Sequence, residues 1–197
     1  TLDRSSAASD VYKRQLEERL GVPVHVENDV NLMALGEQLE RHDAPDLMLL
    51  HAGEGIGVGV VAAGTLVRGN TGQAGEIAHV PAIRRPDEPC LCGNVGCLGA
   101  VASVPGILKM LRAEGIDVTS FDDLMARVTS GDSTVAQTLR QAGRDVGDVM
   151  VYAISATNPR FLVVGGALAV AGDHFVAGVR EAVSYTHLRA HETGRNL

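Results

Sequence analysis

The sequence has no tryptophan, and three tyrosines with three phenylalanines bring the aromatic share to only 3% of 197 residues. A core without large rings must be packed from aliphatic side chains, and a hydrophobic fraction of 45% supplies them. Cysteine is scarce as well. Three thiols, all close together, do not make a disulfide scaffold and fit thiolate ligands in a reducing cytosol. No apolar run approaches the roughly 18 residues that span a membrane. Seventeen basic residues against 24 acidic ones give a net charge of −7, and the basic residues are scattered, which excludes a nucleic-acid footprint. Internal repeats and low-complexity tracts are absent too. The expectation is a soluble, cytoplasmic chain forming one large domain or the larger part of a two-lobed protein.

What is present begins with the cysteines. His79, Cys90, Cys92 and Cys97 form H-x10-C-x-C-x4-C, a Cys3His zinc site in sequence form. Gly93, Asn94 and Gly96 allow a tight knuckle around an ion. Four protein ligands leave no open position, so the zinc is expected to be structural. The bland alternative, buried cysteines beside a surface histidine, does not account for the loop glycines.

The two ends differ in style from the aliphatic, glycine-punctuated middle. TLDRSSAASDVYKRQ (1–15) and SYTHLRAHETGRNL (184–197) resemble translated adapter read-through, so both are expected to be non-native, with the domain proper at 16–183 as a partial chain. Natural ragged termini are the alternative.

Within the middle, Val22–Val26 reads as a short strand leading through Glu27-Asn28-Asp29 into a helix over Val30–Arg41, with Leu32, Leu35 and Leu39 on one face. Asp46–Ala52 reads as a buried strand and Ile56–Ala62 as its returning partner, with Thr65-Leu66-Val67 completing a hairpin. Helices are expected over Leu98–Arg112, Ser120–Thr129 and Ser133–Ala156. The last carries Val135, Leu139, Ala142, Val146, Val149 and Ala153 as one buried stripe. Asn158-Pro159 ends it, Phe161–Val164 follows as a buried strand closed by Gly165-Gly166, and a final helix runs from about Asp173 to Val183. This order predicts an α/β architecture with a mixed sheet and flanking helices.

Several residues in this frame can carry chemistry. Asp29, at a strand-to-helix junction, can act as a general base toward a hydroxyl, with the Asn28 amide holding a neighbouring one. Alternatively, either residue simply caps the helix. Gly53-Glu54-Gly55-Ile56-Gly57 can bring backbone N–H groups to a phosphate. However, it has no lysine, Glu54 repels an anion, and tight-turn packing explains the glycines equally well. Gly165-Gly166 lies where ligands approach strand ends in doubly wound sheets, though glycines there also merely turn the chain. Glu76 and His79 point apart if extended and converge if in a turn.

Taken together, VENDVNLMALGEQ, GEGIGVGVVAAGTLVRGNTGQAGEIAHV, CLCGNVGCLGAVAS and NPRFLVVGGALA resemble the ROK family of repressors and sugar kinases. The resemblance covers about Leu16 to Val183. It implies an actin-like ATPase (ribonuclease H-like) fold with a zinc-clamped loop at His79, Cys90, Cys92 and Cys97. It also implies sugar contacts from Asn28, Asp29, Glu76 and His79. In kinase members Asp29 is the implied base, ATP and magnesium the cofactors, and Gly53, Gly55, Gly165 and Gly166 the nucleotide neighbours. Two departures matter. Glu54 stands where the kinase pattern has threonine, and Gly99 where the family usually has a sugar-binding glutamate. Loss of that carboxylate removes a charge-assisted hydrogen bond of about 1.5–3 kcal/mol. The expected function is therefore the sugar-sensing domain of a transcriptional regulator, with a small sugar or sugar phosphate as its ligand, in a homo-oligomer whose DNA-binding part lies outside this sequence. The alternative is an ATP-dependent hexose kinase.

Overall fold

A computed structural model describes residues 3–41 and 43–191. Its elements are α1 (Asp3–Leu20), α2 (Asp29–Glu40), β1 (Leu47–Ala52), β2 (Ile56–Ala62), β3 (Thr65–Leu66), α3 (Leu98–Ala102), α4 (Val104–Ala113), α5 (Phe121–Thr129), α6 (Ser133–Thr157), β4 (Phe161–Gly165), α7 (Ala167–Val170) and α8 (Asp173–His191). The strands form one mixed sheet in the order β3-β2-β1-β4, with β1 antiparallel to β2 and parallel to β4. Among the described residues no helix is long and apolar enough to cross a membrane.

Alternation along β1 divides the interior between the two faces of the sheet. Met48, Leu50 and Ala52 join the larger core with Ile56, Val58 and Val60 of β2 and the apolar faces of α3 to α6 and α8. Leu47 and Leu49 point the other way, toward Val30 and Ala34 of α2. The glycines of β2 explain how α2 comes so close. A Cβ on Gly59 would lie 2.5 Å from the Ala34 Cβ and 2.8 Å from the Val30 carbonyl oxygen, and one on Gly57 would lie 3.2 Å from Val30 Cγ2. The helix therefore rests on bare backbone, and its first turn is carried to the rim of the sheet.

On the other face, α6 and α8 pack through glycines of their own. An added Cβ on Gly143 would sit 2.1 Å from the Phe175 carbonyl oxygen, and one on Gly178 2.1 Å from that of Arg140. The expected stripe on α6 is buried at Val135, Leu139, Ala142, Val146 and Val149, with Ala153 partly buried against the core. Asn158 ends the helix in the left-handed region at φ 45°.

Four expectations need correction. Val22–Val26 is not a strand: it pairs with no strand of the sheet, Pro23 removes a donor, and the Val24 N–H donates to Glu17 instead at 3.1 Å. The helix expected over Leu98–Arg112 is two. Ser103 is extended (φ −79°, ψ 167°), receives the Gly106 N–H on its Oγ and caps α4, and Pro105, in the first turn of α4, favours the break because it has no N–H to donate back into the preceding helix. On α2 the expected leucine face is only partly the packed one; Leu35 packs half-buried against the smaller core, but Leu32 and Leu39 are exposed, while Val30, Asn31 and Ala34 are buried. Finally, β4 is half-buried because it forms the edge of the described sheet. Helix α1 runs without a break past Gln15, yet its Val11, Tyr12, Leu16 and Leu20 are all exposed.

Candidate functional site

Three chain segments meet at the end of the sheet where β1 turns into β2. They are the start of α2, the Gly53-Glu54-Gly55 turn, and the loop that returns from β3. Between them lies a cleft of about 440 Å³, whose lining includes Asn28, Asp29, His51, Gly53, Glu54, Gly55 and Glu76. The structure thus gathers residues scattered through the first 76 positions around one space.

The Glu27 carboxylate anchors the α2 side. It accepts from the Asn31 side-chain amide at 2.8 Å, from the Asn28 N–H at 3.1 Å and from Arg68 Nε at 2.6 Å. These donors, the Asn31 amide first, hold the Glu27 carboxyl below its ordinary range against the opposing effect of partial burial. Asn28 is the helix cap. Its Oδ1 accepts from the N–H of Val30 at 2.9 Å and of Asn31 at 3.3 Å. Asp29 occupies the first helical position, its Oδ1 accepting from its neighbour Val30 at 2.8 Å, and its exposed carboxylate faces the cleft. Capping therefore falls to Asn28, and Asp29, with Oδ1 on the Val30 N–H, has Oδ2 to offer the cleft.

The second wall is a tight turn. The Gly53 N–H donates to the Gly55 carbonyl at 2.9 Å, and the Gly53 carbonyl accepts from Val104 at 2.8 Å. The Gly53 donor is spent inside the turn, so the turn offers a phosphate fewer free N–H groups than its glycines suggest. Glu54 projects from its tip and is exposed. Gly166 lies behind this turn, against the end of β1, where a Cβ would come within 2.4 Å of the Ala52 carbonyl oxygen. Neither Gly165 nor Gly166 lines the cleft, although the adjoining Ala167 does.

The third wall is set by Gly75. At φ 89° its carbonyl accepts from the Val58 N–H at 3.0 Å, and a Cβ would lie 1.7 Å from the Val58 carbonyl oxygen. This contact holds Glu76 at the cleft. Two successive turns then follow (Ile77 N–H to Gly75 carbonyl, Val80 N–H to Ile77 carbonyl) and carry His79 away from the cleft lining to the cysteines.

There, His79, Cys90, Cys92 and Cys97 place their ligand atoms all within 4.8 Å of one another, a cluster able to hold a metal ion. Cys90 Sγ is 3.7 Å from His79 Nδ1, and Cys92 Sγ is 3.7 Å from Cys97 Sγ. The loop is braced by Pro81–Cys97 and Pro89–Val95 bridges, with Gly93 and Gly96 at positive φ. Burial, reinforced by the neighbouring thiols, pushes Cys97 up to about 12, whereas the Asn94 backbone N–H lowers Cys92. The cluster is tied to the helices as well. Arg84 donates to Asp145 Oδ1 at 2.8 Å and to Asp148, and Lys109 pairs with Glu88.

One lining residue was not singled out from the sequence. His51 is the sole polar side chain in β1, and among the described residues its buried Nδ1 has no hydrogen-bond partner. The signal available was an imidazole breaking an otherwise aliphatic strand just before a glycine turn.

The ROK family profile matches residues 5–195. The chain is 31% identical over 186 residues to a glucokinase of Halalkalibacterium halodurans, covering 86% of this chain and 56% of the relative. It is 28% identical over 189 residues to the DNA-binding transcriptional dual regulator NagC of Escherichia coli, covering 90% of this chain and 46% of NagC. The crystal structure of a ROK family transcriptional regulator, a homologue of the E. coli MLC protein, superposes with a TM-score of 0.81 at 26% identity, over 92% of this chain and 48% of that one. The chain thus spans about half the length of the curated relatives it matches.

Proposed function

This chain belongs to the ROK family and has its actin-like ATPase type of α/β fold, and from that premise we propose that it is the sugar-sensing domain of a ROK transcriptional regulator. In this reading Asn28, Asp29 and Glu76 bind sugar hydroxyls, with His79 adjoining them from the metal cluster. A homo-oligomer in the cytoplasm carries its DNA-binding part outside this sequence. Sugar binding biases two arrangements of the subunits and so alters DNA affinity. The domain proper runs over 16–183.

The observation that carries the regulator reading is the Gly53-Glu54-Gly55 turn. Its first N–H is committed to the turn, and a carboxylate stands at its tip where a kinase needs to receive phosphates. One observation favours the kinase reading, which family members known as glucokinases also keep open. Asp29 presents a carboxylate to the cleft while the adjacent Asn28 does the capping, as a base for a sugar hydroxyl requires. ATP and magnesium would then be the cofactors, with Gly53, Gly55, Gly165 and Gly166 near the nucleotide.

We also assign structural zinc to His79, Cys90, Cys92 and Cys97. Zn–S bonds of about 2.3 Å in a tetrahedron imply S···S edges of about 3.8 Å, and mixed S···N edges of about 3.6 Å. Two of the six edges, one of each kind, are 3.7 Å, and all six lie within 4.8 Å, which supports that fit.

Coupled ATP turnover across a hexose panel, measured on the full-length protein beside Asp29→Asn, tests the reading. The expected result is no turnover above background, together with a hexose-dependent rise in Tm. Turnover that disappears in Asp29→Asn would establish the kinase instead.

A further inference from the structure

We infer, building on the sugar reading, that the cleft takes its ligand unphosphorylated, that Glu54 sets this preference and that His51 helps to hold the free sugar. Three carboxylates line the space, and they come from separate places in the chain. Asp29 begins α2, Glu54 tips the β1–β2 turn, and Glu76 follows the loop from β3. Among the described residues no lysine or arginine lines the cleft. Arg68, the basic residue just beyond β3, is paired with Glu27 at 2.6 Å. A phosphate ester carries close to two negative charges at neutral pH. Entering here, it would meet like charge on three sides with no guanidinium or ammonium among the described lining residues, and the Gly53 N–H is already used.

An uncharged polyol meets a different surface. Carboxylates are good acceptors for hydroxyl donors, and the imidazole of His51 supplies the complementary atom. The ring lines the cleft and its Nδ1 is shielded from solvent with no hydrogen-bond partner among the described residues, an unfavourable burial that a small turn of the ring toward a ligand hydroxyl would relieve. The rest of β1, Leu47 to Leu50 and Ala52, is aliphatic and needs no such partner. The His51 ring lies at the turn itself, since a Cβ on Gly53 would be 3.3 Å from its Nε2. A sugar hydroxyl seated between Asp29 and the turn is the chemistry these groups fit.

Isothermal titration calorimetry on the full-length protein in low salt, with glucose, N-acetylglucosamine and the 6-phosphate of each, provides the test. At least one free sugar is expected to bind ten-fold or more tightly than its phosphate. Glu54→Gln, an exposed turn substitution, should narrow that gap several-fold, as should raising the salt. His51→Leu should weaken the free sugar about ten-fold, with His51→Gln retaining part of the affinity. A phosphate ester that binds as tightly as its free sugar overturns this inference and leaves the sugar reading standing. A gap unmoved by Glu54→Gln, or a free-sugar affinity unmoved by His51→Leu, removes that residue from the inference. If none of the four compounds binds, the sugar reading falls and this inference with it.

Discussion

Asn28 and Asp29 have similar side chains, and either can cap a helix. What separates their roles is one position: the single oxygen at the cap is used up by two backbone N–H groups, whereas the next carboxylate gives one oxygen to the Val30 N–H and has its other for the cleft. Sequence made both residues candidates and left their division open, because it depends on where the first helical turn starts. Where no ligand competes, the same local physics can be measured directly. At the start of α5, Ser120 and Asp123 form a capping box, and the Asp123 carboxylate also accepts from the Thr119 N–H and hydroxyl, each at 2.8 Å. The backbone N–H of Thr119 is the largest cause holding Asp123 down to about 2. A depressed carboxyl stabilises the fold above its unfolded value of about 3.9. That contribution is lost as pH falls from there through about 2. Urea unfolding between pH 5 and pH 2 should therefore show a loss of stability that Asp123→Asn flattens. Ser120→Ala should cost about 1 kcal/mol at neutral pH.

At the scale of elements, the strands were legible as short apolar runs bounded by glycine turns, and the long α6 because its apolar residues recur at alternating four- and three-residue steps. Less legible was which face of a helix is packed. The leucines of α2 suggested one face, but of these only Leu35 packs, at the margin of the face on which Val30 and Ala34 meet Gly57 and Gly59. The helix–strand distance is set by glycines in a different element, and a pattern within α2 cannot report that. Nor could the break at Ser103 be read from apolar spacing, which continues across it; the cap and the following proline were the available signs. Glycines within helices make the point testable. Gly36 in α2 has nothing within 4 Å of an added Cβ, whereas Gly143 in α6 would place one 2.1 Å from the Phe175 carbonyl oxygen. Both substitutions to alanine gain about the same helix propensity. Gly36→Ala should raise stability by about 0.5–1 kcal/mol, and Gly143→Ala should lower it by about 1–3 kcal/mol by forcing α6 and α8 apart. Chemical denaturation of the two variants beside the parent decides it; equal effects would mean that close packing at Gly143 is not what holds this helix pair.

Across the whole molecule, the metal cluster belongs to the helical core as much as to its own loop. Its ligand residues were legible because cysteine spacing is local, but its anchors were not, since Arg84 and Asp145 lie 61 positions apart. Asp145 is buried at 3% exposure among apolar neighbours and receives both Arg84 and the Gln141 amide. Cys97 and Leu98 are buried where the loop enters α3, and Ala82 joins the main core from the loop's other end. A loop held at both ends in this way cannot open without disturbing the helices. We therefore predict about one equivalent of zinc per chain by metal analysis, and a chelator that lowers Tm in a single transition shared by near- and far-ultraviolet circular dichroism. Arg84→Met should cost about 1–3 kcal/mol, because Asp145 keeps only its Gln141 donor. It should also weaken the coupling, so that the chelator-induced fall in Tm shrinks relative to the parent. A fall of the same size in both proteins would mean that the loop and the helices are joined through the Leu98 and Ala82 contacts alone. A metal-free preparation as stable as the parent would remove the metal from the account of the fold.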